Sequence, residues 1–163
     1  METNRNRAQD QASLVDGAIA GLIATLPMTI VMLGLHQLEP FKEHNPLPPQ
    51  KITRRAAQKS GVDKATSEDQ IDLMTGVAHF GFGATAGSLY APLANLSPLP
   101  AILSGLLYGL TVWFVSYQGW IPEANLMPPA DKQSPQRNFL MIAAHLVYGS
   151  VLAGLVSWLA REK

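Results

Sequence analysis

The chain contains no cysteine, which removes disulfides, thiolate metal sites, iron–sulfur clusters and covalently attached c-type haem together. It also lacks Asp, Glu, Lys and Arg throughout residues 73–122, 17–35 and 138–160. The 15% of charged residues are therefore confined to the tails and two loops. This segregation explains why the mean hydropathy is only +0.09 despite long apolar runs. The formal net charge is zero, so there is no basic footprint for nucleic acid. Enzyme chemistry has little to work with either. The uncharged segments offer no carboxylate for acid–base catalysis, and neither a His-Glu-x-x-His motif nor a Gly-rich phosphate loop occurs. The expected protein is not an enzyme.

What is present is length without charge. One membrane crossing takes about 20 mainly apolar residues, and the uncharged stretch 73–122 is 50 residues long. Asn95-Leu96-Ser97-Pro98-Leu99-Pro100 supplies a turn near its middle. The expectation is an all-α polytopic membrane protein, a single membrane domain 1–163, with spans at about 14–36, 72–94, 98–119 and 138–160 and a long charged loop at 37–71. The polar residues 1–13 and the length of the first apolar segment argue against a cleaved signal peptide. Ser13-x-x-Asp16 and Ser67-x-x-Gln70 read as capping boxes, and Ser97-Pro98 and Ser134-Pro135 as N-cap and first-turn proline. Pro27 is expected to kink the first span, with Thr25, Thr29 or a neighbouring helix answering the freed carbonyl. Tyr90, Tyr117, Trp120 and Trp158 fall near span ends, where the headgroup layer favours them. Residues 51–59 read as a short solvated loop helix closed by Gly61, with Ile52, Ala56 and Ala57 as its apolar side.

Three patterns recur in the same order. Gly17-x-x-x-Gly21-Leu22 returns as Gly105-x-x-x-Gly109-Leu110, and Asn45-Pro46-Leu47-Pro48-Pro49 as Asn125-Leu126-Met127-Pro128-Pro129. Ala78-His79-Phe80-Gly81-Phe82-Gly83 returns as Ala144-His145-Leu146-Val147-Tyr148-Gly149. The order points to a duplication, with repeat one at 14–95 and repeat two at 98–163, parallel because each copy holds two spans. The first copy carries an insertion around residues 50–69. Gly17, Gly21, Gly76, Gly83, Gly87, Gly105, Gly109 and Gly149 are the candidate helix-packing positions. The two histidines share these small-residue stripes and are expected at equal depth, with the second and fourth spans facing each other.

The pair His79 and His145 is the candidate site. Three chemistries fit two imidazoles there: hydrogen bonding between helices, bis-histidine ligation of a b-type haem, and a pH-responsive or proton-linked pair. His36 and His44 read as interfacial or solvated. No resident cofactor or metal ion is expected, haem b being the alternative. The expected partners are the lipid bilayer and another membrane protein or a second copy of this chain. The loops between spans one and two and between spans three and four hold eight Lys/Arg, against four in the tails and the remaining turn. The positive-inside rule therefore puts those loops in the cytoplasm and both termini outside.

Pro27-Met28-Thr29, Leu47-Pro48-Pro49-Gln50-Lys51-Ile52-Thr53 and the two Ala-His-x-x-aromatic-Gly helices resemble the YagU-like group of small bacterial inner-membrane proteins. The resemblance implies a multi-pass protein of the bacterial inner membrane with undefined biochemical activity. It carries over no site residue.

Overall fold

The computed structural model describes residues 12–37 and 46–162. Among these every regular element is helical. Helix α1 (Leu14–Gln37) is followed by α2 (Pro48–Lys59), a 3-10 turn and α3 (Glu68–Leu96). Helix α4 (Ala101–Phe114) runs into a π-helical stretch, Val115–Trp120, and the single turn α5 (Ile121–Glu123). A 3-10 turn at Ala130–Lys132 leads to α6 (Pro135–Arg161). Three helical segments are long and apolar enough to cross a membrane: Leu14–Gln37, Ala101–Glu123 and Pro135–Arg161.

Local chemistry sets most boundaries. Ser13 and Asp16 exchange hydrogen bonds at the start of α1, and Ser67 and Gln70 form a full capping box before α3. The Ser134 hydroxyl accepts from the Arg137 amide ahead of Pro135. Ser97 behaves differently from its expected role: it closes α3, and α4 begins after Pro100, because two prolines in four residues delay helix formation. Helix α2 ends with Gly61 at φ 72°, the Val62 amide returning to the Ala57 carbonyl. Asn125, at φ 52°, ends α5 in the same way through Leu126 and Ile121.

Glycine dictates the hairpin packing. A Cβ placed on Gly17 or Gly21 would collide with the carbonyl oxygens of Gly87 and Gly83, so α1 and α3 touch backbone to backbone. Gly105 and Gly109 meet the carbonyl oxygens of Gly149 and His145 in the same manner, joining α4 to α6. Gly76 departs from its expected role, since a Cβ there would meet nothing within 4 Å. At the level of His79 a side-chain bond, Thr29 to His79, joins α1 and α3.

The two hairpins join chiefly through α1 and α6, whereas α3 and α6 make few direct contacts. The expected facing of the second and fourth spans is therefore replaced by a central α1–α6 seam. The corresponding seam on the other side, between α3 and α4, is propped open by Tyr90 and Tyr108, whose ring centroids lie 5.0 Å apart. Tyr90 and Tyr117 are buried in the core, unlike the headgroup positions expected for them, while Trp120 and Trp158 are exposed. Pro27 is accommodated within one continuous helix. The Thr25 and Thr29 hydroxyls bond the carbonyls of Gly21 and Thr25, four residues back from each, not the carbonyl that Pro27 frees.

Helix α2 is docked on the bundle and not free in solvent. Thr53 and Ala57 are buried. Arg54 pairs with Glu68 (Nη1 to Oε1, 2.8 Å), Gln50 donates to Asp72 (2.6 Å) and Lys59 to the Ala124 carbonyl (2.6 Å). The short helix expected in the charged loop thus starts earlier, at Pro48, and lies over the bundle instead of in solvent.

Candidate functional site

Beneath α2 lies a cavity of about 120 Å³. Pro49, Ile52 and Thr53 roof it, Met28 and Phe82 wall it, and the π-helical stretch contributes Ser116, Tyr117 and Trp120. His79 and His145 both line it, so the structure brings the two sequence-derived site residues to one place although their helices barely touch. They meet across a space.

The hydrogen bonds assign a tautomer to each neutral imidazole. Thr29 has one hydroxyl proton and donates it to the Thr25 carbonyl at 2.7 Å. Its oxygen therefore accepts from His79 Nε2 at 3.2 Å, which places the N–H on that nitrogen. At His145, Nδ1 lies 2.7 Å from the Met141 carbonyl oxygen, which can only accept, so Nδ1 carries the proton and Nε2 keeps its lone pair. The two imidazoles thus carry opposite tautomers. The Tyr117 ring meets the His145 ring edge to face, centroids 6.0 Å apart.

The haem alternative does not fit this geometry. Bis-histidine ligation needs an open nitrogen on each ring facing a slot wide enough for a macrocycle. His79 Nε2 is engaged by Thr29, and the cavity between the rings is far too small for a porphyrin. Among the described residues no cluster of three His, Cys, Asp or Glu could hold a metal ion. His44 lies outside the described residues, and His36 sits in the last turn of α1, away from the cavity.

A second space opens alongside. Between α3 and α4 runs an apolar crevice of about 310 Å³ lined by Ala86, Leu89, Tyr108 and Val112 among others. Phe82, Ser116 and Trp120 line both the crevice and the cavity. The Phe82 and Trp120 rings, centroids 5.9 Å apart, form the partition. A small space flanked by His79, Phe82 and His145 continues the cavity inward.

Sequence reasoning passed over Thr29 and Tyr117 as site residues, although register could have found them. Thr29 lies 12 residues beyond Gly17 and Tyr117 12 beyond Gly105, so each occupies the same place opposite its hairpin's histidine. The contribution of α2 had no such signal, because that helix has no counterpart in the second hairpin.

The fold and site define a class: an all-helical protein with membrane-length helices around an interior imidazole-lined cavity. The chain belongs to the family described as Protein of unknown function (DUF1440), whose model matches residues 28–153 and so takes in the entire cavity lining. No curated protein and no solved structure matches the chain.

Proposed function

We propose that this is a four-span protein of the bacterial inner membrane, built from two tandem hairpins, with a non-enzymatic accessory role. The observation that carries the reading is the outward face of α3. That helix is less apolar overall because His79, Gly83 and Gly87 occupy its inward stripe, yet Leu73, Val77, Leu89 and Leu93 stand exposed along its outside. The same holds for Ile19, Leu26 and Ile30 on α1 and for Leu103, Leu107 and Phe114 on the α4 segment. Soluble proteins rarely leave such continuous apolar faces uncovered, whereas lipid covers them without cost. The paired glycine contacts of the two hairpins support the duplication, and the likeness to the YagU-like group supports the bacterial inner membrane.

Topology tests this reading. The cysteine-free chain makes Ser60→Cys and Ser97→Cys clean reporters for a membrane-impermeant maleimide. Four spans require the two sites to label from opposite sides, with Ser60 protected in intact cells and Ser97 reactive. Labelling of both from one side shows that α3 does not cross. The accessory role predicts a defined membrane partner or self-association in mild detergent, measured by sedimentation. A monodisperse monomer without a partner would count against it.

The convergence of both imidazoles on one cavity favours a second reading, a proton-linked module. It predicts that His79→Gln and His145→Gln each alter the pH dependence of detergent stability.

A further inference from the structure

We infer that the cavity binds a neutral, membrane-soluble molecule bearing a hydroxyl group, which enters sideways from the bilayer between α3 and α4 past Phe82 and Trp120. The entry route rests on the membrane reading above; the ligand chemistry does not.

Two polar atoms on buried side chains, neither with a hydrogen-bond partner among the described residues, define the chemistry. His145 is 4% exposed, its single N–H is committed to the Met141 carbonyl, and its Nε2 lone pair has no partner among the described residues. Tyr117 is also 4% exposed, and its hydroxyl has no hydrogen-bond partner there, although Arg137 acts on it electrostatically. Polar groups of buried side chains are usually hydrogen-bonded, so an acceptor and a hydroxyl on two residues that line one cavity can both bond an occupant. The occupant must donate to Nε2, which a hydroxyl does and an ether or ketone cannot. Of the other polar groups nearby, Thr53 donates to the Pro49 carbonyl, Thr75 donates to the Ile71 carbonyl, and Ser116 accepts from Trp120 Nε1. No formally charged side chain lines the space and the Arg137 charge felt at Tyr117 is positive, so a cation would enter without compensation, while a carboxylate or phosphate dianion brings no donor for Nε2. Met28, Phe82, Ile121 and Met141 fit an apolar body behind the hydroxyl.

The route follows from what closes each side. Toward the loops the cavity is roofed by α2, which is held by Arg54–Glu68, Gln50–Asp72 and Lys59–Ala124 and by the buried Thr53 and Ala57. Toward the crevice Phe82, Ser116 and Trp120 intervene, and Trp120 is 43% exposed. Turning one exposed ring disturbs far less than undocking a helix. The crevice exists because Tyr90 and Tyr108 hold α3 and α4 apart where the α1–α6 seam is closed. It gives a lipid-dissolved molecule a place to lie before entry and its tail a place to remain afterwards.

The test uses full-length protein labelled with 15N-histidine in detergent micelles and two probes, 4-dodecylphenol and its methyl ether, which differ only in the O–H donor. The phenol is expected to shift the His145 Nε2 resonance saturably and to bind about tenfold more tightly than the ether. Tyr117→Phe is expected to weaken the phenol, and His145→Leu, checked for folding by its thermal transition, to abolish the difference between probes. Equal binding of phenol and ether overturns the proposal, as does an unmoved His145 signal in wild-type protein, which identifies a water-filled cavity. In nanodiscs Trp120→Ala is expected to speed phenol uptake severalfold. Acceleration by Glu68→Gln with Asp72→Asn instead, and not by Trp120→Ala, overturns the lateral route. None of these binding outcomes alters the Ser60 and Ser97 labelling pattern, so failure of the site and failure of the four-span reading are told apart.

Discussion

The Tyr148 hydroxyl donates to the Gly83 carbonyl oxygen across 2.6 Å, tying α6 to α3 at the turn where α1 already presses against Gly83. The Tyr108 hydroxyl makes the matching bond from α4 to the Ala86 carbonyl, also 2.6 Å. α1 meets α3 backbone to backbone, and these two phenols tie α3 to α6 and α4, whose backbones it barely touches. Tyr148→Phe and Tyr108→Phe should each lower stability in detergent by about 0.6–1.7 kcal/mol, the range for interhelical hydrogen bonds in membranes. Unfolding by denaturing detergent measures this, and wild-type stability of both variants would remove the phenols as ties.

Gly21→Leu and Gly109→Leu should each destabilise the protein by about 1–3 kcal/mol or more, because the new side chain meets backbone that cannot move aside. Gly76→Ala and Gly154→Ala, where nothing lies within 4 Å, are the controls and should leave the thermal transition unchanged or slightly raised. Equal transitions in all four would show that the glycine contacts do not set helix separation.

Cysteines at positions 79 and 145 should be joined within one chain by a short bismaleimide, since both face one cavity. Position 79 paired with position 155, further along α6, should not be joined. Purified wild-type protein should be colourless and without a Soret band. A Soret band lost in both His79→Ala and His145→Ala would reinstate haem against the geometry.

The docking of α2 should depend on pH. The Arg54 guanidinium, hydrogen-bonded to Glu68, holds that carboxyl below its ordinary range. A depressed carboxylate contributes stability above its unfolded value and loses it as pH falls through the folded value. Amide exchange in α2 should therefore stay slow at neutral pH and quicken on acidification below the usual carboxylate range. In Glu68→Gln this pH response should shrink. An identical response in that variant would assign it to other groups.

Much of the hairpin architecture was legible in the sequence because it rests on local or periodic properties. Absence of charge located the apolar segments, Ser67 with Gln70 and Ser134 with Pro135 marked helix starts, and the Gly17/Gly21 and Gly105/Gly109 spacings named the close approaches. Each is a matter of neighbouring residues or of positions three and four apart on one helix. The pairing of His79 with His145 was also legible, through the repeated Ala-His-x-x-aromatic-Gly pattern.

Only the tertiary structure decided what surrounds that pair. The sequence by itself determined two glycine-packed hairpins each bearing a histidine, because hydropathy, capping and small-residue spacing act along the chain. It did not determine that α1 and α6 would close while Tyr90 and Tyr108 kept α3 and α4 apart, that α2 would dock as a roof, or that Tyr90 and Tyr117 would turn inward. Those outcomes depend on side-chain volumes meeting between helices distant in sequence. The His145 lone pair and the cavity it faces exist only once those helices are assembled.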